Sequence, residues 1–165
     1  MIEICPNLYI GNEYDVPGAL NEGWAVIHAC KEPFHRRMLG YKTQGAPKNH
    51  PEYYFGIRGN RLILNLVDAE DVNYIPKCII DKSLEFIGAK LSEGYRVLVH
   101  CNQGMSRSAG IGLLYLASIG SFKGLNFTEA ETKYRLIYPR YSPSEGMREY
   151  MKQNWIEYSS FDNQA

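Results

Sequence analysis

Near the middle of the chain, His100-Cys101-Asn102-Gln103-Gly104-Met105-Ser106-Arg107-Ser108 brings a thiol, a guanidinium and two hydroxyls around one glycine. The short apolar run Arg96 to Val99 reads as a strand leading straight into it, and an apolar helix from about Ser108 to Ile119 follows. A strand, a tight loop and a helix N-terminus make an anion cradle. Backbone N–H groups converge there, and the helix dipole adds partial positive charge. Asn102, Gln103, Gly104, Met105 and Ser106 are the expected phosphate-binding positions, together with Arg107, whose guanidinium grips two phosphate oxygens at once. Gly104 relieves the turn.

Cys101 opens the loop, which sets its sulfur beneath a bound phosphorus. A free thiol titrates near about 8.5, and helix N-termini and cations lower it to roughly 3.5–7.5. Cys101 is therefore the expected thiolate nucleophile. Ser108 is expected to donate a hydrogen bond to that sulfur when it leaves. His100 lies on the extended strand and points away from the loop, so it is assigned to holding the loop by hydrogen bonds. A lone cysteine at a strand end is usually a small buried hydrophobe. Here His100, Cys101, Gly104, Ser106, Arg107 and Ser108 fit one pattern together, in the strand-loop-helix context the pattern needs.

The rest of the chain must position this loop. Ile2 to Ile10 reads as a strand closed by Gly11, Trp24 to Ala29 as a buried strand, and Arg61 to Val67 as another. Ile80, Leu84, Ile87 and Leu91 mark one face of a helix over Ile75 to Leu91, ended by Gly94. Thr128-Glu129-Ala130-Glu131 and Ser142-Pro143-Ser144-Glu145 fit helix starts. Residues 31–60, broken by several Pro and Gly, are the least regular part. Strands alternating with helices imply an α/β fold, a central mainly parallel sheet flanked by helices.

With 165 residues, 45% of them hydrophobic, the chain reads as one domain over residues 1–165. Eighteen Lys+Arg against 18 Asp+Glu give zero net charge, which argues against a general nucleic-acid or membrane-surface binder. No apolar run is long enough to span a membrane, and the N-terminus does not read as a signal peptide. Cys5, Cys30, Cys78 and Cys101 show no metal-site spacing, and His28, His35 and His50 are scattered, so no metal is expected. A reducing, cytoplasmic compartment is the expectation; oligomeric state is not readable.

HCNQGMSRS resembles the HCxxGxxR[ST] phosphate-binding loop of the cysteine-based protein tyrosine phosphatases, and its HCxxGxSRS form is most similar to the dual-specificity branch. ICPNLYIGN, LEFIGAKLSEGYRVLVHC and YRLIYPRYSPSEGMREYM resemble that family's opening strand, the helix and strand before the loop, and the closing helices. The resemblance implies a three-layer phosphatase-like sandwich and a cysteinyl-phosphate intermediate on Cys101. It also implies Arg107 as the phosphate ligand and no metal or organic cofactor. The implied partner is a phosphoprotein or phosphopeptide substrate.

Expelling an alkoxide or phenoxide calls for an acid on a separate loop. The family places an Asp about thirty residues before the cysteine. LNLVDAED offers Asp68, Glu70 and Asp71; Asp68, directly after the strand, matches best, with Asp71 as the alternative. Some lipid-phosphatase relatives carry a cysteine after the strand matching WAVIHA, which makes Cys30 a candidate redox partner of Cys101 beside its plainer reading as a buried thiol. Residues 31–61 hold seven basic residues against Glu32 and Glu52, interleaved with Tyr41, Tyr53, Tyr54 and Phe55. That segment reads either as a wall for an anionic substrate or as a solvated loop. Met105 and Ser106 lack the lysines that phosphoinositide phosphatases often use there. Two competing readings stay open. One is the same chemistry on an RNA 5′ end, nucleotide, carbohydrate or lipid; the other is a catalytically silent phospho-binding module.

Overall fold

Charge-free runs such as Ala25-Val26-Ile27 and Val97-Leu98-Val99 form strands buried on both faces. The computed structural model describes residues 1–160. Its strands are β1 (Ile2–Cys5), β2 (Leu8–Gly11), β3 (Trp24–His28), β4 (Phe55–Arg58), β5 (Arg61–Leu64) and β6 (Arg96–His100). They form one sheet in the order β1-β2-β6-β3-β5-β4. The inner strands β2, β6, β3 and β5 run parallel, while β1 and β4 close the edges antiparallel. The expected central, mainly parallel sheet is present.

Helices α1 (Arg36–Leu39), α2 (Lys77–Ser92), α3 (Arg107–Ser118), α4 (Phe127–Ile137), α5 (Glu145–Gln153) and α6 (Trp155–Ser159) complete the chain. Side chains alternate across a strand. Val97 and Val99 accordingly join the main core with Ile80, Ile87, Ile111 and Leu114 of α2 and α3. Leu98 faces the other way and packs with Val26 and Ala19. That face is covered by short pieces: the 3₁₀ segment Glu13–Ala19 and the turn Lys31–His35, whose Phe34 stacks on His28. The C-terminal ends of β3, β5 and β6 gather on one edge of the sheet, the place where open parallel sheets bind ligands.

Several boundaries differ from expectation for local reasons. The first expected strand is a hairpin, because Pro6 offers no N–H and Asn7 takes φ 66°, a left-handed turn that Asn tolerates. Within the irregular region 31–60, β4 pairs with β5 through the two-residue Gly59-Asn60 turn, with Gly59 at φ 59°. The strand expected to reach Val67 stops at Leu64, and the remainder is loop. The cap of α4 is Asn126, in a reciprocal pair with Glu129, because Glu131 is buried against Tyr141 and Arg148. Helix α5 is capped by Ser144 rather than Ser142, whose N–H donates instead to the Met105 carbonyl.

Candidate active site

The loop after β6 is held from behind. The carbonyl of Cys101 faces His100 Nδ1 at 3.2 Å, and that of Asn102 accepts from Glu13 N at 3.4 Å. Arg140 Nη2 donates to Gln103 O at 3.2 Å, Tyr138 Oη to Gly104 O at 2.5 Å, and Ser142 N to Met105 O at 2.8 Å. Five consecutive carbonyls are thus drawn outward by donors, which leaves the loop's N–H groups for its concave side. Burial pushes the Tyr138 hydroxyl up to about 12, so it stays a donor. Gly104 sits at φ 74°, and a β-carbon there would stand 2.8 Å from the Gly11 carbonyl, so both conformation and space require glycine.

Cys101 is buried, with Gly104 N donating to its sulfur at 3.3 Å and Ser108 Oγ lying 3.2 Å from it. Ser108 Oγ also lies 3.2 Å from the Gly11 carbonyl. One hydroxyl proton serves both directions: toward Gly11 when the sulfur carries its own proton, toward the sulfur when it does not. Arg107 Nη1 donates to Leu66 O at 3.1 Å and Nη2 to Asn102 Oδ1 at 2.8 Å. Among the described residues, Arg107 Nε is the buried side-chain polar atom without a partner. A buried, unpaired N–H on a cation is costly unless an anion meets it.

The expected acid lies on the loop following β5. Leu66 O accepts from Lys31 N as well as from Arg107, and Ala69 O accepts from Gly146 N. Asp68 sits between these two anchors, exposed. Its carboxylate has no hydrogen bond to a described residue. Asp71 instead accepts from Asn73 N and caps the turn Val72–Tyr74. The geometry therefore leaves Asp68 available and engages Asp71.

Residues 48–152 match the family model for the dual specificity phosphatase catalytic domain. The chain belongs to that family. Mouse dual specificity protein phosphatase 12 is 28% identical over 155 residues, 92% of this chain and 40% of that protein. Mouse dual specificity protein phosphatase 8 is 31% identical over 118 residues, 70% of this chain and 15% of that protein. The chain thus spans less than half the length of these curated relatives. Among solved structures, DUSP15 superposes with a TM-score of 0.66 at 20% identity, covering 99% of this chain and 93% of that one. PTPMT1 superposes with 0.63 at 20% identity, covering 99% of each. These structures show the fold.

Within this dual specificity phosphatase domain, the residues singled out from the sequence converge on one edge of the sheet. Ser106 has a further tie: its hydroxyl accepts from Ser144 N at 2.9 Å, joining the loop to α5. Cys30 is buried, and burial pushes its thiol up to about 12. No described helix is long and apolar enough to cross a membrane.

The sequence reading missed the supports. Tyr138, Arg140, Ser142 and Gly146 act through backbone carbonyls, which leave no signature in residue type. His28 passed for one of several scattered histidines. Its ring meets His100 at 2.6 Å, and its other nitrogen accepts from Arg61 Nε at 2.9 Å. The pairing of His28 with His100 across β3 and β6 is the signal that could have revealed it. A cavity of about 390 Å³ opens beside the Asp68 loop, lined by Lys31, Lys48, Tyr53, Tyr54, Asn65 and Tyr74, among others, and by no carboxylate.

Proposed function

We propose that this domain hydrolyses phosphomonoesters in proteins through a cysteinyl-phosphate on Cys101. The observation that carries the reading is the buried Arg107 Nε–H without a partner. It belongs to a guanidinium fixed at its other end, beside a loop whose carbonyls are all turned outward. The Cys101 thiolate attacks phosphorus in line. The loop amides of Asn102 to Ser106 and Arg107 hold the equatorial oxygens. Asp68 gives its proton to the leaving oxygen, then takes one from the attacking water. Ser108 donates to the sulfur as the S–P bond breaks, and His100 holds the loop.

A protein substrate of acidic character is supported by the cavity beside Asp68. Of the carboxylates nearby, Glu32 pairs with Arg36 and Glu52 with Arg58, while Asp68 stands unpaired on the neighbouring loop. Lys48 and Lys31, the latter also donating to Gln44 O at 2.7 Å, line a cavity that no carboxylate lines. Strands β6 and β5 are separated only by β3, so the loops at their ends stand roughly 10 Å apart, about three residues of extended peptide. An acidic residue near the phosphoresidue fits there.

The redox pairing of Cys30 with Cys101 has less support, because a thiol held protonated by burial is a poor attacking group. A single catalytic domain over residues 1–165, acting in a reducing compartment, completes the proposal.

The test is hydrolysis of an aryl phosphate and of phosphopeptides by reduced protein with chelator present. Turnover abolished by Cys101→Ser and cut about 10²- to 10⁴-fold by Asp68→Ala is expected. Binding of phosphopeptide by wild type without any turnover would replace this reading with a binding module.

A further inference from the structure

The mechanism above uses His100 as a loop support and leaves His28 and Arg61 without a role. Both histidine rings are fully buried, on adjacent strands, in the sheet that delivers Cys101. Three contacts connect them in series: Arg61 Nε to His28 Nε2 at 2.9 Å, His28 Nδ1 to His100 Nε2 at 2.6 Å, and His100 Nδ1 to Cys101 O at 3.2 Å.

The protons in this series have one consistent arrangement. Arginine only donates, so His28 Nε2 accepts. A neutral His28 then carries its proton on Nδ1, which points at His100 Nε2. His100 in turn carries its proton on Nδ1 and donates to the Cys101 carbonyl. Both rings are neutral, since burial lowers His28 to about 2 and His100 to about 4. The ring of Phe34 stacks on His28 at 4.4 Å and meets His100 edge-on at 5.0 Å, which fixes both planes.

We propose that Arg61 and His28 are positioning residues: a one-way hydrogen-bond chain from a cation to the Cys101 carbonyl that holds His100 in its donating tautomer and makes the Cys101 thiolate more accessible at neutral pH. The chain begins on a permanent charge and runs through two buried, polarisable rings. Each bond strengthens the next, toward the residue that bears the sulfur. Arg61 supplies more than one additional donor, because a neutral starting group would leave His28 free to flip its tautomer and reverse the series. Other charges act around the pair. Glu13 and Arg107 face His100, and Cys30 lies near Cys101. None of these donates to His28.

The inference deepens the proposed mechanism and rests on Cys101 being its reactive thiol. Its test reads that thiol without turnover. In the whole chain, the rate of Cys101 alkylation by iodoacetamide is followed against pH by peptide mass spectrometry, for wild type, His28→Leu, Arg61→Leu and His28→Asn. The Asn amide accepts through its oxygen and donates through its nitrogen, so it preserves the direction of the chain. The leucine variants should shift the alkylation midpoint upward and slow the reaction at pH 6 about tenfold, one pH unit. His28→Asn should restore most of the rate. Midpoints unmoved in folded leucine variants would overturn the proposal, since loss of packing alone would lower stability and leave the midpoint in place. If His28→Leu does not fold, the half-buried Arg61 position decides. A shifted midpoint in a protein that hydrolyses no phosphate ester would sink the proposed activity and leave this chain standing.

Discussion

The backbone N–H of Gly146 donates to the carbonyl of Ala69 at 3.1 Å, one residue beyond Asp68. Two residues earlier, Ser144 N donates to Ser106 Oγ at 2.9 Å. The first turn of α5 therefore fastens both the loop that carries Asp68 and the loop that carries Cys101. A β-carbon on Gly146 would overlap the Ala69 carbonyl, and backbone there cannot yield as a side chain can. Gly146→Ala should push the Asp68 loop outward and weaken proton donation. Turnover of alkyl phosphates, which need the proton, should fall about tenfold or more, while esters with good leaving groups lose less. A leaving-group series measures this; equal losses across the series would mean the loop position does not govern the acid.

The buried histidines make a prediction about pH and stability. Their folded values, about 2 for His28 and about 4 for His100, lie below the ordinary 6.5. The unfolded chain therefore binds more protons than the folded one below pH 6.5, and stability falls as pH drops through that window. Each ring contributes a slope of about 1.4 kcal/mol per pH unit between 6.5 and its folded value. Urea unfolding between pH 7 and 5 should show this loss before most carboxylates titrate. His28→Asn should remove the His28 share of it, leaving the shares of His100 and of His35, which burial also lowers. A flat wild-type profile over that range would show that the rings are not held neutral.

Ser108 faces Cys101 Sγ and the Gly11 carbonyl at equal distance, 3.2 Å. Its hydroxyl should matter most when the sulfur departs with negative charge. Ser108→Ala should leave formation of the phosphoenzyme nearly intact and slow its breakdown about 10- to 100-fold, the worth of one hydrogen bond to a charged group. Rapid-quench kinetics should then show a burst followed by slow turnover. Absence of a burst in this variant would put the role of Ser108 elsewhere.

The Lys31–Lys48 cavity predicts a positional preference. In a phosphotyrosine peptide scanned with Glu from four residues before to four after, one position about three residues away should raise kcat/KM up to about fivefold, the scale of exposed ion pairs. The gain should disappear in 0.5 M salt and in Lys31→Gln/Lys48→Gln. A flat scan would remove the cavity from substrate recognition.

How much of this was legible in the sequence follows from what kind of group does the work. In the proposed mechanism Cys101, Arg107 and Ser108 act through side chains at fixed spacing, so the motif exposed them. The inner strands carry uninterrupted apolar runs, so they were readable as sheet elements, while their order in the sheet is a non-local fact of the fold. Tyr138, Arg140, Ser142 and Gly146 act on carbonyls far along the chain, and only the folded topology brings them there. Asn7 and the Gly59-Asn60 turn split apolar stretches that looked continuous or irregular, because turn chemistry is weaker than hydrophobic pattern as a signal. His28 and His100 needed the register of β3 against β6, a non-local fact.

The central claim is that phosphate passes through the Cys101 sulfur. The most direct measurement is acid quench of wild type and Ser108→Ala during turnover of an aryl phosphate, followed by peptide mass spectrometry. One phosphoryl group on the Cys101 peptide, more abundant in Ser108→Ala and missing in Cys101→Ser, is the predicted result. Steady turnover with no phosphate on that peptide in either protein would contradict the account.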